Sequence, residues 1–326
     1  MNFNELVGQI TQIGLDHHKE TILENSIRNR PFITKDVRSI EPVQSKVLVV
    51  SAGPSLCREN ILSRMLANGF NHTERISERK TPILVTTDGA YIQCLKSGLI
   101  PDYVLTIDPH PTRIVRWFGD PDYERHSEED DYFRRQDLDV AFRASSISQN
   151  RENIALVDRF PIRLVIASSA PASVVERTQD FDRYWFAPLV DNPRQEGSIT
   201  KAIVQRTGLP AINTGGTVGT TAWVFAHQIL RSSDIAVVGM DFGYYEDTPL
   251  HQTQEWNLLK GEENVEDLFP YRDTPWGRCR TSPTYKWYRD NFLSLLKASD
   301  STVTNCSEHG ILHGDRVRCM RIEEWI

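Results

Sequence analysis

The chain has 326 residues, 39% of them hydrophobic and 25% charged, which suits an ordinary globular protein with one large α/β domain or two small ones. Its net charge of −7, from 44 acids against 37 bases, lacks the basic excess that marks a nucleic-acid binder. A phosphate-bearing ligand stays open, because backbone amides can hold phosphates with little basic charge. Five scattered cysteines, Cys57, Cys94, Cys279, Cys306 and Cys319, form no CxxC pair. They are expected to be reduced thiols of a cytoplasmic protein, outside any disulfide framework or zinc site. The start, MNFNELVGQITQIGLDHHKE, has no basic region followed by an apolar run, so no signal peptide is expected. No run approaches the roughly 20 apolar residues of a membrane span.

The first 25 residues read as an amphipathic helix with Phe3, Leu6, Ile10, Ile13 and Leu15 on or near one face. A polar stretch, Arg28 to Glu41, leads from it to the first strand, KVLVVS at 46–51. Residues 1–44 are therefore read as an N-terminal helical extension, and 45–326 as a Rossmann-like α/β domain. Within that domain, strands and helices alternate. PILVTT (82–87) is followed by a helical GAYIQCLKSG, YVLTI (103–107) by TRIVRWF, and RLVIAS (163–168) by ASVVERT. TVGTTAWVFAHQIL (217–230) then precedes DIAVVGM (234–240). Short, nearly continuous apolar strands are what a parallel sheet buried on both faces requires. Their alternation with helices implies right-handed crossovers and a doubly wound, mainly parallel sheet with helices on both faces. Two segments break the rhythm: the charged 119–143, expected as a loop plus an exposed helix, and 245–283, rich in Pro, Gly and dispersed aromatics. A long irregular stretch of the second kind is often a binding loop or lid.

Candidate functional residues cluster where strands end, the edge at which open α/β sheets bind ligands. After the first strand, Gly53, Pro54 and Ser55 permit a tight turn and open a helix. The turn is neither a GxGxxG fingerprint nor a P-loop, and it reads equally as a plain strand-to-helix connection. Asp88 enters the helix after the second strand, as a ligand for a ribose hydroxyl, a base or a metal, or simply as an N-cap. Asp108 lies just past the third strand, and His110 is a possible base. The loop Asn213–Thr221 carries Gly215, Gly216, Thr217 and Gly219 ahead of an apolar helix, an anion or nucleotide cradle unless the glycines only allow close packing. Asp241 ends the last strong strand. Tyr244 and Tyr245 follow it as phosphate contacts or structural residues, and His251 is placed to act as general base. No HExxH, GxSxG or coherent zinc-ligand set occurs, so no metal site is expected.

In chain order, VVSAGPSL, TTDGAYIQCLKSGLIPDYVLTIDP, NTGGTVGTTA, VVGMDFGYYEDTPLH and NCSEHGIL resemble the motility accessory factor family over roughly residues 45–326. That family shares a domain with archaeal 6-hydroxymethylpterin diphosphokinases and is associated with transfer of nonulosonic acids, sialic-acid-like sugars, onto flagellin. The GPSL turn, the Gly-Thr-rich helix start and the Gly-x-Asp-Phe strand end are also similar to bacterial sialyltransferases that use CMP-sugars. By that resemblance Gly53, Pro54 and Ser55 would sit near the donor phosphate or cytidine, and Asp88 near the nucleoside. Gly216 and Thr217 would line the phosphate side, Tyr244 or Tyr245 would contact the leaving phosphate, and Asn305–Glu308, with Ser307, would close the pocket. The chain departs from the sialyltransferase pattern at Ala52, where those enzymes carry asparagine, and over Trp276–Thr281, which lacks their lid histidine. His251 is chosen in its place by position. Where the diphosphokinases carry Asp-Leu-Asp-Gly, this chain has Ile107-Asp108-Pro109-His110, one carboxylate fewer. It is also shorter than typical members of the motility family.

The leading expectation is a nucleotide-sugar glycosyltransferase with a CMP-nonulosonate donor, a protein or glycan acceptor and no required cofactor. His251 or His110 would serve as base, beside Asp241. The alternatives are a magnesium-dependent diphosphokinase acting with ATP on a pterin-like alcohol, using Asp88, Asp108 and Asp241 as ligands, and a non-catalytic nucleotide-binding module.

Overall fold

The computed structural model describes residues 3–43, 45–70, 81–129, 140–253, 255–262 and 264–326. In chain order the strands are β1 (Val47–Val50), β2 (Ile83–Thr87), β3 (Tyr103–Thr106), β4 (Arg163–Ala167), β5 (Asp182–Leu189) and β6 (Ala211–Asn213). They continue as β7 (Ile235–Val238), β8 (Tyr244–Tyr245), β9 (Tyr271–Thr274), β10 (Gly277–Arg280), β11 (Val303–Asn305) and β12 (Val317–Cys319). The chain divides into two compact units. One holds residues 1–18, 42–84 and 214–326, and the other 19–41 and 85–213.

In the first unit the parallel strands run in the order β12, β11, β7, β1. The start of β2 lies on the far side of β1, where the Ile83 amide donates to the Lys46 carbonyl at 2.9 Å. The chain thus leaves β1 on one side and returns through β7 on the other, the double winding expected from the sequence. Every residue of β1 and β7 is buried, which is why their sequences, VLVV and IAVV, are apolar throughout. The pairing Val47 with Ile235 through Val50 with Val238 ends both strands at the same level. The same unit carries a small antiparallel sheet, β8-β10-β9.

In the second unit, β2, β3, β4, β5 and β6 lie parallel in sequence order. The latter part of the long N-terminal helix, Phe3–Arg28, belongs to this unit and docks on the carboxyl end of β4. Asn25 donates to the carbonyls of Ser169 (2.8 Å) and Pro109 (3.2 Å). Asn29 donates to Ser168 (2.8 Å) and Ala170 (2.7 Å), and the Ser26 and Ser168 hydroxyls share a hydrogen bond. These amides satisfy carbonyls that the end of a strand would otherwise bury without partners.

The five strands read from the sequence are all present, within two residues at each end. Reading by apolar runs missed β5, which opens on the partly exposed Asp182-Arg183-Tyr184 and contains Pro188, and the three-residue β6, β11 and β12. The segment 245–283 is less irregular than expected, since β9 and β10 form a hairpin inside it. In the charged segment, Tyr123–Glu129 is helical and a second helix starts at Val140, while residues 130–139 lie outside the described ones. All five cysteines are free: Cys57 is exposed, Cys94, Cys279 and Cys306 are buried, and Cys319 is half-buried. No described helix is long and apolar enough to cross a membrane.

Candidate active site

In the first unit the chain turns sharply after both β1 and β7, and the two turns touch. The Gly53 amide donates to the Gly239 carbonyl at 2.8 Å. Side chains are impossible at either contact. A Cβ on Gly53 would lie 2.3 Å from the Gly239 oxygen, and one on Gly239 (φ +66°) would lie 2.0 Å from the Ser51 oxygen. This approach brings Asp241 under the helical turn that Pro54 opens. Its Oδ2 accepts from the Ser55 amide (2.8 Å) and its Oδ1 from the Ser55 hydroxyl (2.6 Å). Asp241 is only 2% exposed, and each of its carboxylate oxygens accepts one bond of this clasp.

The segment after β11 closes over the same place. The Met240 amide donates to the Ser307 hydroxyl (3.1 Å), and the Ser307 amide to Asn305 Oδ1 (2.9 Å). The Ile311 amide donates to the Asp241 carbonyl at 2.8 Å, so close that a Cβ on Gly310 would lie 2.0 Å from that oxygen. Between these anchors sits His309, 5% exposed, with its ring stacked on Tyr245 at 3.7 Å between centroids and 18° between planes. Its Nδ1 lies 3.8 Å from Asp241 Oδ2, beyond hydrogen-bond distance, and neither ring nitrogen has a hydrogen-bond partner. Tyr245 in turn donates to Glu59 Oε1 (2.6 Å), under the Arg58 guanidinium 4.0 Å from the ring centre. Burial, then the Glu59 carboxylate, holds the Tyr245 phenol protonated well above its ordinary range.

The Gly-Thr loop reaches this edge through Gly219, where a Cβ would lie 2.8 Å from Ser51 Oγ. That hydroxyl is itself buried without a partner. Thr217 caps the helix Val218–Val224 by accepting from the Thr220 amide (3.0 Å). Gly215 and Gly216 serve packing: added Cβ atoms would lie 2.3 Å from Thr220 Cγ2 and 2.4 Å from the Trp287 ring. Tyr244, one residue before Tyr245, faces elsewhere and donates to the buried Glu255 at 2.7 Å. His251 is exposed on the turn Leu250–Gln252.

The remaining sequence candidates lie in the second unit. Asp88 is the first residue of the helix Asp88–Lys96, whose N-cap position falls to Thr87. Its carboxylate accepts from Thr106 Oγ1 and from the Gly89 amide, both at 2.7 Å. Burial dominates these bonds and pushes its pKa up to about 7. Asp108 accepts from the His110 amide (2.8 Å), and His110 Nδ1 accepts from the Thr112 and Arg113 amides at 3.4 and 3.3 Å. Among the described residues, no three His, Cys, Asp or Glu side chains are grouped so as to hold a metal ion.

The structure therefore gathers Gly53, Pro54, Ser55, Asp241, Tyr245, Ser307 and Gly219 at one strand edge. It adds two residues that sequence reasoning missed, His309 and Glu59. His309 stands inside the motif Asn305–Leu312, just before Gly310, and a histidine following a short strand was its one available signal.

A comparison with solved structures matches this fold to that of the Maf glycosyltransferase from Magnetospirillum magneticum AMB-1. The TM-score is 0.56 at 11% sequence identity, over 95% of this chain and 39% of that one. The likeness is one of fold, and this chain spans about two fifths of that protein's length. No protein-family model matches the chain, and neither does any curated protein.

Proposed function

We propose that this chain is a glycosyltransferase core that uses a nucleotide-activated sugar, with a CMP-linked nonulosonic acid as donor and a hydroxyl of a protein or glycan as acceptor. The observation that carries this reading is the carboxyl-end edge of β1 and β7, where ligands of doubly wound sheets bind. A buried carboxylate there fixes the Ser55 turn, and a buried imidazole is left with nothing to bond. The fold shared with a Maf glycosyltransferase and the ordered series of motifs support the same reading.

In this reading the donor phosphate lies against the turn Gly53–Ser55 and the start of the Gly219 helix. Sugar transfer needs a base for the acceptor hydroxyl and hydrogen-bond donors for the departing phosphate, and neither requirement calls for a metal.

A thermal-shift series with CMP, CDP, UDP, GDP, ATP and AMP, each with and without magnesium, tests the proposal. A ligand that binds only the folded state at 100 times its Kd adds about 2.7 kcal/mol of stability. Selective stabilisation by CMP or CDP, independent of magnesium, is the expected result. Stabilisation by ATP only with magnesium would replace the reading with a diphosphokinase, and silence from every nucleotide would remove it.

A further inference from the structure

We propose that His309 is the general base that takes the acceptor's proton, with Asp241 stabilising the imidazolium that forms. The inference rests on the transferase reading above, and its starting point is an unsatisfied group. A neutral imidazole carries one donor and one acceptor. His309 is buried with neither used, a condition that folded proteins rarely leave unexplained. A ligand hydroxyl at Nε2 completes the acceptor role.

The ring is also held in place, as a base must be. The Tyr245 ring lies against one face, itself tied to Glu59. The preceding Glu308 takes a left-handed backbone (φ +57°), and Arg64 fixes its carboxylate at 2.6 Å. The following Gly310 is pressed against the Asp241 carbonyl. The charged and titratable groups near the ring are Asp241 directly, Glu59 and Arg58 through Tyr245, and Glu308 with Arg64 through the backbone. Asp241 stands on the Nδ1 side, which leaves Nε2 as the atom to receive a proton. The Asp241 carboxylate stands 3.8 Å from the opposite nitrogen, beside the ring that would carry the positive charge.

The step is a single substitution. The acceptor O–H bond breaks and its proton moves to Nε2, while the acceptor oxygen bonds to the anomeric carbon of the sugar. The bond from that carbon to the phosphate oxygen breaks, and its electron pair leaves with the nucleoside monophosphate. The imidazolium then returns its proton to solvent.

The test measures release of CMP from CMP-N-acetylneuraminate, with water as acceptor, by the intact chain and by His309→Gln, His309→Asn and His251→Ala. The His309 variants are expected to lose about 100-fold or more in kcat with KM little changed. They should also lose the limb of the pH profile on which a base must be unprotonated. In the unaltered protein, the His309 ring-nitrogen NMR signals should shift when CMP is added. If the unaltered chain neither binds CMP nor releases it, the transferase reading falls and takes this role with it. If it turns over while a folded His309 variant stays within threefold with an unchanged pH profile, only the role of His309 is overturned. A rise in KM alone, loss confined to His251→Ala, or unmoved ring signals with CMP bound would overturn it equally.

Discussion

The two units end their parallel strands in different ways. In the second unit the carboxyl end of β4 is covered by the protein's own polar side chains, with Asn25, Ser26 and Asn29 bonded to Ser168, Ser169 and Ala170, and only Asn29 Oδ1 among those three side chains is buried without a partner. In the first unit the turns after β1 and β7 touch, yet the Ser51 hydroxyl and both His309 nitrogens stay unbonded. One edge is a clasp between a helix and a sheet. The other is held by backbone contacts between its turns and leaves a whole imidazole unbonded.

The lock between the two turns of the first unit is most sensitive at Gly239. Gly239→Ala combines a positive φ with a Cβ 2.0 Å from a backbone oxygen, and should cost roughly 5 kcal/mol in denaturant unfolding. A small loss would mean that the two turns of the first unit are not locked.

The next effect belongs to the second unit and depends on pH. Burial raises the Asp88 pKa from 3.8 to about 7, so the folded state holds a proton that the unfolded chain releases. Stability from this group is full below about pH 4, falls as pH rises through 7, and is flat above, a span on the order of 4 kcal/mol. Asp88→Asn keeps an acceptor for Thr106 and should flatten the profile of urea midpoint against pH. An unchanged profile would refute the assignment.

Asn29→Ala should cost about 2 kcal/mol by removing the Asn29 bond to the Ser168 carbonyl and leaving the Ala170 carbonyl only the longer bond from Arg28. It should also raise hydrogen exchange in the helix Phe3–Arg28. Thr217→Ala, at the helix cap of the first unit, should lower the melting stability by about 1 kcal/mol. If it weakened CMP binding without that loss, the loop would be a ligand cradle more than a cap.

Much of the sheet is legible because VLVV, ILVTT and IAVV can be buried on both faces only in a parallel sheet. β5 is not, because its polar start sits at an exposed end, and three-residue strands carry too little pattern to read. At the site, the turn at Gly53 is visible in the sequence, but its partner Asp241 is 186 residues from Ser55 and only the fold pairs them. Tyr244 and Tyr245 show the limit most clearly. Neighbours on a strand point to opposite faces, so one reaches Glu255 and the other Glu59. No local pattern says which of the two faces His309.

The short helix Ser55–Arg58 also carries Cys57, the exposed thiol among five. Burial raises Cys94 to about 12 and Cys279 to about 11, and pushes Cys306 and Cys319 upward too. Cys57 is the exposed thiol, so a maleimide dye at neutral pH would settle first there. The turn clasped by Asp241 thus carries its own attachment point for a fluorophore, and its motions could be followed by light without adding or removing a residue.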